Sequence, residues 1–111
     1  IQALNGEYCV NLTNRTTLKL REQGYLCENV EKYNYFTKRK NDLFGFIDVV
    51  AISTNETLAV QVTSKSNMSS RIKKISESDN YPLVMGAGWR ILVHGWFKNK
   101  KNRWECKEFE F

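Results

Sequence analysis

Two polar residues lie inside the most apolar part of this sequence, where burial should exclude them. Asp48 is flanked by an isoleucine and a valine, and Gln61 is flanked by two valines. A carboxylate that is dry and unpaired costs several kcal/mol, and such violations of local rules tend to mark functional sites. Both side chains carry oxygen atoms, the ligand type that a hard cation such as Mg²⁺ prefers. The pair therefore suggests a site.

The segment around these residues predicts a β-hairpin. Its strands cover residues 43–53 and 57–64, and a short polar turn joins them. Alternation in the second strand places Gln61 and Thr63 on the same face. Lys65 would extend that row if the strand continued so far, which would bring an ammonium group towards the two polar side chains.

The remaining elements are predicted from periodicity and turn residues. They are a helix over residues 8–23, a strand over 25–33, a basic loop up to residue 42, a helix over 70–78, a loop over 79–88, and strands over 89–97 and 103–111. The last strand alternates strictly, which suits the edge of a sheet. This order predicts one α/β (α+β) domain over residues 1–111, a mixed sheet of about five strands flanked by helices.

Composition and charge narrow the class of protein and partner. The chain has 111 residues and a net charge of +5, which favours a polyanionic partner. No apolar run approaches the roughly 20 residues of a membrane span, and the N-terminus has no secretory pattern. The three cysteines lack the spacing of a disulfide framework or a zinc site, so we expect a cytoplasmic setting.

The central strands resemble the core of a known nuclease superfamily. The segments GFIDVVAI, LAVQVTSK and RIKK are similar to the PD-(D/E)XK superfamily, over roughly residues 15–97. The branch most like this chain contains archaeal-type Holliday junction resolvases and small phage or bacterial restriction-like nucleases. The resemblance implies a restriction-endonuclease-like fold, cleavage of DNA with Mg²⁺ or Mn²⁺, and, for a phage protein, the host cytoplasm. It also implies a possible homodimer, since junction-cutting relatives act as dimers.

The resemblance implies catalytic roles for individual residues. Asp48 and Gln61 would hold the metal, with the backbone carbonyl of Val62 as a further oxygen ligand. The family usually has Glu-x-Lys on the second strand, whereas this chain has Gln61 and Thr63. Lys65 would supply the missing ammonium group and stabilise the developing charge. Three upstream acids could complete the site, namely Glu31, ranked first, then Glu22, and Asp42.

Basic residues on either side of the central strands are candidates for contacts with DNA phosphates. They are Lys38, Arg39 and Lys40 in the loop before the first strand, and Arg71, Lys73 and Lys74 on the second helix. An alternative function is a non-catalytic nucleic-acid-binding module on the same fold. A weaker alternative is a protein-interaction subunit with aromatic residues at a dimer interface.

Plainer structural roles are open for the same residues. Asp48 could be a structural carboxylate paired with Arg71 or Lys65, because buried charges are usually paired. Gln61 could be a neutral hydrogen-bonding residue of the interior. His94 and the three tryptophans fit packing better than catalysis or base stacking.

Overall fold

The computed structural model describes residues 2–111, with side chains described from Leu12 onward. The helices are α1 (Gln2–Glu22), α2 (Met68–Ser76) and α3 (Tyr81–Gly86), and a 3₁₀ turn at Lys65–Asn67 precedes α2. The strands are β1 (Leu26–Asn29), β2 (Lys32–Asn34), β3 (Arg39–Asn41), β4 (Val49–Ile52), β5 (Thr57–Ser64), β6 (Arg90–Lys98) and β7 (Trp104–Glu110). No helix in this range combines the length and apolar character needed to cross a membrane.

Five strands form one mixed sheet in the order β1-β4-β5-β6-β7. Only β5 and β6 pair in parallel, and α2 and α3 make the crossover between them. The other neighbours pair antiparallel, and β7 is an edge strand as its alternation predicts. The predicted fold class, a mixed sheet of about five strands flanked by helices, is confirmed.

Both faces of the sheet are covered, each by its own apolar cluster. One cluster joins Leu20 of α1 to Leu58 and Val60 of β5. The other joins Ala59, on the opposite face of β5, to Ile75 of α2. Alternation along β5 therefore sends Gln61 to the α2 side of the sheet, as the period of two requires.

Helix α1 has an unusual buried face, made mostly of threonines. Thr13, Thr16, Thr17 and Leu20 are all buried, and their spacing of three and four residues defines one side of a helix. The helix ends where Gly24 adopts a left-handed φ of 95°. Tyr25 N–H then bonds the Leu20 carbonyl at 3.0 Å, which is the Schellman pattern.

The predicted first strand of the hairpin, residues 43–53, was wrong in its first half. Leu43 and Ile47 instead close a tight turn through reciprocal backbone bonds of 2.9 and 3.0 Å. Phe44 and Gly45 take left-handed φ angles of 55° and 89°, which no strand allows. The turn carries Phe46 into the core, so its apolar composition mimics a buried strand. Asp48 therefore stands just before β4.

Two other predicted elements also differ from the structure. The strand over 25–33 is divided into β1 and β2, and the basic loop after it folds back as β3 to make a separate two-stranded hairpin. The loop over 79–88 contains α3, with Pro82 in its first turn. Proline is compatible with that position because the first N–H groups of a helix lack intrahelical partners.

Gly95 allows the 3₁₀ turn and α2 to approach β6 closely. A methyl group on Gly95 would overlap the side chain of Met68 and lie 3.0 Å from the Cα atom of Lys65. Glycine is needed here for space rather than for a special φ angle. This contact fixes the start of α2, the helix that carries Arg71 and Lys74.

Candidate metal centre

Three carboxylates meet at the end of the sheet where β4 begins. Glu31 follows β1, Asp42 follows β3, and Asp48 precedes β4. One carboxylate oxygen from each lies within 4.8 Å of the others. Segments distant in sequence thus bring three carboxyl groups together, and ionisation of all three is costly unless a cation shares the site.

Asp48 is fixed by its backbone and by its side chain. Its N–H donates to the Val60 carbonyl and its carbonyl accepts from Val30 N–H, both at 2.9 Å. Its Oδ2 accepts from Gln61 Nε2 at 2.6 Å and from Val62 N–H at 2.8 Å. The predicted structural pairing with Arg71 or Lys65 is absent from the ion pairs of the described side chains.

Gln61 has one half of its amide satisfied and the other half free. The side chain is 2% exposed, and its Nε2 group donates to Asp48. Its Oε1 atom is buried with no hydrogen-bond partner. A buried acceptor without a partner costs on the order of 1–3 kcal/mol, so this oxygen is suited to a ligand that the protein alone does not provide.

Val62 is positioned to add a backbone oxygen. Its N–H points to Asp48 across the edge of β5. In a strand, the N–H and C=O groups of one residue point to the same side. The Val62 carbonyl therefore faces the carboxylate side of β5, as its predicted role as a ligand requires.

The carboxyl group of Asp48 has a strongly perturbed affinity for protons. Burial removes the hydration of its charged form and, with the neighbouring Asp42 carboxylate, raises the pKa of Asp48 to about 8. The Val62 N–H lowers the pKa and the more distant Glu31 charge raises it. Without a cation, Asp48 is therefore mostly protonated at neutral pH.

The carboxylates open into a cleft of about 590 Å³ with basic groups on its walls. Lys40, Arg71 and Lys74 line it together with the three acids, Gln61 and Thr63. Lys74 Nζ is 3.9 Å from Asp42 Oδ2, and the lysine side chain is half exposed. Such a pair is weak, so the cations remain available to an anionic ligand.

Lys65 does not lie where the sequence pattern placed it. Strand β5 ends at Ser64, and Lys65 begins the 3₁₀ turn. Its ammonium group lies 4.5 Å from the ring centroid of Phe97, beside a different depression. The prediction that Lys65 continues the row of Gln61 and Thr63 was therefore wrong, because the chain turns as soon as the strand ends.

The other predicted site residues divide into those near the cleft and those away from it. Glu31 lines the cleft and accepts a hydrogen bond from Thr13 Oγ1 at 3.3 Å. Glu22 lies beside another depression, next to Trp96 and Trp104. Lys73 pairs weakly with Glu77 at 3.9 Å on the exposed side of α2. Lys38 and Arg39 are exposed on the β2–β3 hairpin.

His94 belongs to a second polar group, inside the sheet. Trp96 Nε1–H donates to Thr16 Oγ1 at 2.8 Å, and the same hydroxyl lies 3.2 Å from His94 Nδ1. His94 Nε2 lies 2.8 Å from Glu108 Oε2. Burial lowers the pKa of His94, so the neutral ring accepts from Thr16 and donates to Glu108. Every member has a partner, which fits a packing role.

A further depression, of about 330 Å³, offers no comparable chemistry. It lies between α3 and the turn before β4, and Phe44, Leu83 and Trp89 give it apolar walls. None of its lining residues is titratable.

Comparison of the chain with models of protein families, with curated proteins and with solved structures finds no match. The function is therefore inferred from the geometry of the cleft and from its charges. Sequence reasoning identified Asp48, Gln61, Glu31 and Asp42, which the structure brings together. It missed that Lys40 and Arg71 share their cleft, because only the fold brings the hairpin and α2 to one place.

Proposed function

We propose that this protein is a metal-dependent nuclease that hydrolyses phosphodiester bonds in DNA. The carrying observation is the unpartnered Oε1 of buried Gln61 beside three clustered carboxylates. Carboxylate and amide oxygens suit Mg²⁺ or Mn²⁺. The proposal agrees with the resemblance to the PD-(D/E)XK superfamily and with the cytoplasmic setting that the cysteines favour.

The residues present fit a divalent cation. Glu31, Asp42 and Asp48 would hold it, with the Gln61 side-chain oxygen and the Val62 carbonyl as neutral ligands. When bound, such an ion activates water and neutralises charge on the scissile phosphate. The Gln61 amide contributes no negative charge, so the net charge of the ligands comes from the three acids.

The basic wall of the cleft would bind the phosphate. Lys40, Arg71 and Lys74 come from the hairpin and from α2, on the same cleft as the acids. They would take the place of the lysine that is usual in the superfamily. The matching residue of this chain is Thr63, and Lys65 lies against Phe97 instead. Charged donors of this kind position the phosphate and stabilise charge that develops during the reaction.

Asp48 would also control the protonation of the site. Because Oδ2 accepts two hydrogen bonds, a proton on this carboxyl group resides on Oδ1. Loss of that proton gives Asp48 the charge that a cation requires. Proton release should therefore accompany metal binding at neutral pH.

Replacing one carboxylate tests the proposal. We expect Asp48→Asn to reduce Mg²⁺- or Mn²⁺-dependent cleavage of DNA by at least about a hundredfold. The assay should include single-stranded, duplex and branched DNA. Glu22→Gln, which removes an exposed acid outside the cleft, should leave cleavage unchanged. Equal cleavage by wild-type protein and Asp48→Asn would contradict the site assignment.

A non-catalytic DNA-binding module is the second candidate. It is favoured by Thr63, which replaces the usual lysine, and by the position of Lys65 against Phe97. It predicts salt-sensitive DNA binding without turnover in any divalent metal. Light scattering would test the predicted homodimer in either case.

A further inference from the structure

The β2–β3 hairpin, residues 32–41, combines exposed aromatic rings with positive charge. It forms a two-stranded sheet of its own, with Tyr33 opposite Lys40. Tyr33, Tyr35 and Phe36 are 50%, 82% and 98% exposed. Rings that are so exposed do not stabilise the described core. The unfavourable exposure of their apolar surface to water therefore needs another explanation.

The charge of the hairpin has one sign. Lys32, Lys38, Arg39 and Lys40 lie within it, and no acid does. None of these four cations forms an ion pair with a described side chain. They therefore keep their full attraction for an anionic chain.

The hairpin is structurally joined to the candidate metal centre. Glu31 precedes its first strand and Asp42 follows its second, so two of the three clustered acids stand at its base. Val30 N–H bonds the Asp48 carbonyl at 2.9 Å and anchors that base to β4. Lys40 lies on the cleft wall. A nucleic acid strand with a phosphate in the cleft would therefore pass along the hairpin.

Backbone N–H groups at the tip of the hairpin are bound by the side chain of Asn34. Asn34 Oδ1 accepts from the N–H groups of Phe36 at 2.9 Å and Thr37 at 3.3 Å. Lys38 takes a left-handed φ of 55°. Tyr33 and Tyr35 meet edge to face with ring centroids 5.0 Å apart, whereas Phe36 projects into solvent.

We propose that the hairpin binds unpaired nucleotides by stacking their bases on Tyr35 and Phe36 while its cations hold the phosphates. Stacking on aromatic rings beside a cationic groove is how proteins bind single strands without sequence preference. Paired bases in a duplex interior do not expose their faces for this contact. The inference rests on the proposed nuclease function only for its consequence, which is that cleavage occurs next to unpaired nucleotides.

Binding to short oligonucleotides in EDTA tests the hairpin without requiring catalysis. Fluorescence anisotropy would compare a labelled single-stranded DNA, the same sequence as a blunt duplex, and the same sequence as single-stranded RNA. We expect the wild-type protein to prefer the single strand. The double variant Tyr35→Ala/Phe36→Ala should weaken single-strand binding by roughly tenfold or more and leave duplex binding unchanged.

Matched variants separate stacking from charge and folding. Phe109→Ala removes another partly exposed ring, on β7, and should not change binding. Lys38→Gln should lower the salt dependence of single-strand binding by about 0.7 in slope. Comparable binding of single-stranded DNA and RNA by the wild-type protein supports stacking, because both present the same base faces.

The outcomes distinguish this inference from the nuclease proposal. Wild-type binding of duplex as tightly as single strand, or full single-strand binding by the ring variant, would overturn the hairpin inference even if Mg²⁺-dependent cleavage is found. Ring-dependent single-strand binding in a protein that cleaves nothing would support the hairpin and reject the nuclease.

Discussion

The two ends of the central sheet each carry a group of carboxylates, and the two groups are built differently. Where β5 and β6 begin, Arg90 bonds Glu56 at 2.5 Å and Glu110 at 2.6 and 2.7 Å. Tyr25 also donates its hydroxyl proton to Glu56. Where β4 begins, Glu31, Asp42 and Asp48 converge; Lys74, which is half exposed, approaches them only to within 3.9 Å of Asp42.

The pKa values of the carboxyl groups shift in opposite directions at the two ends. Hydrogen bonds from Tyr25 and Arg90 lower the pKa of Glu56, and those from Arg90 lower the pKa of Glu110. Burial and the neighbouring Asp42 raise the pKa of Asp48. Arg90 compensates the first group, whereas among the described side chains the second group has only the weak approach of Lys74 to Asp42. A carboxylate group that the protein leaves uncompensated is therefore the better candidate for a ligand site.

The largest expected difference between the two ends is in metal binding as a function of pH. Asp48 must lose its proton before it can hold a cation, so affinity for Mn²⁺ should rise by up to about tenfold per pH unit between pH 6 and pH 8. Above the Asp48 pKa of about 8 the rise should level off. Calorimetric titration in buffers of different ionisation enthalpy would measure both affinity and released protons.

Asp48→Asn provides the control for this pH dependence. The variant should bind Mn²⁺ weakly at every pH and release no proton near pH 7. An affinity that is flat from pH 6 to pH 8 in the wild-type protein would show that Asp48 is already ionised or takes no part in binding.

In EDTA, the contributions of Asp48 and of Glu56 to the free energy of unfolding should change with pH in opposite directions. The folded-state pKa of Asp48 lies above its unfolded value, so this carboxyl destabilises the fold increasingly as pH rises from about 4 to about 8. The limiting slope is about 1.4 kcal/mol per pH unit. Asp48→Asn should therefore gain in thermal midpoint relative to wild type across this window.

Glu56→Gln should show the opposite trend. The pKa of Glu56 is lowered in the folded protein, so its stabilising effect exists above the unfolded value and disappears as pH falls through the folded value. The thermal midpoint of the variant should lie a few degrees below that of wild type at pH 7, and this difference should shrink as the pH falls through the folded value. If the thermal midpoints of Asp48→Asn and Glu56→Gln, each relative to wild type, changed with pH in the same direction, the two ends of the sheet would not differ in how their carboxylates are compensated.

Gln61→Glu should convert the uncompensated end into a stronger metal site at the expense of the metal-free fold. A fourth negative charge should tighten Mn²⁺ binding by about tenfold, whereas a second buried carboxylate should lower the thermal midpoint in EDTA at pH 8. Gln23→Glu adds the same charge at an exposed position beyond α1 and should do neither. Unchanged affinity in Gln61→Glu would indicate that the Gln61 oxygen faces away from the ion.

Local patterns in the sequence were sufficient to predict the residues at the centre of the site. Asp48 and Gln61 each interrupt an apolar pattern, and a short turn separates their two segments, so the pattern was enough to predict one site that contains both. The same pattern placed Gln61 on one face and Leu58 and Val60 on the other. The prediction of Glu31 as the upstream acid rested on the resemblance, and the structure places it in the cluster.

The errors came from places where composition does not determine conformation. The turn before β4 is as apolar as a strand because Phe46 and Ile47 are buried, and the left-handed φ angle of Phe44 leaves no mark in a hydrophobic pattern. The basic wall of the cleft forms because the fold brings the hairpin and α2 to the same cleft, which no local pattern contains.

The weak pair between Lys74 and Asp42 gives the smallest expected effect and the finest test of the comparison. If Lys74 compensated the acids as Arg90 does at the other end, Lys74→Gln would lower stability at pH 7. An ion pair at 3.9 Å with a half-exposed lysine is instead worth less than about 0.5 kcal/mol, so we expect no measurable change in the thermal midpoint.

The same variant tests the proposed role of Lys74 as a phosphate ligand. Lys74→Gln should raise KM for DNA by roughly three- to tenfold with little change in kcat. Lys73→Gln, one position along the same helix and outside the cleft, should change neither. A lower midpoint with unchanged KM would make Lys74 a partner of Asp42, and the two ends of the sheet would then be compensated alike.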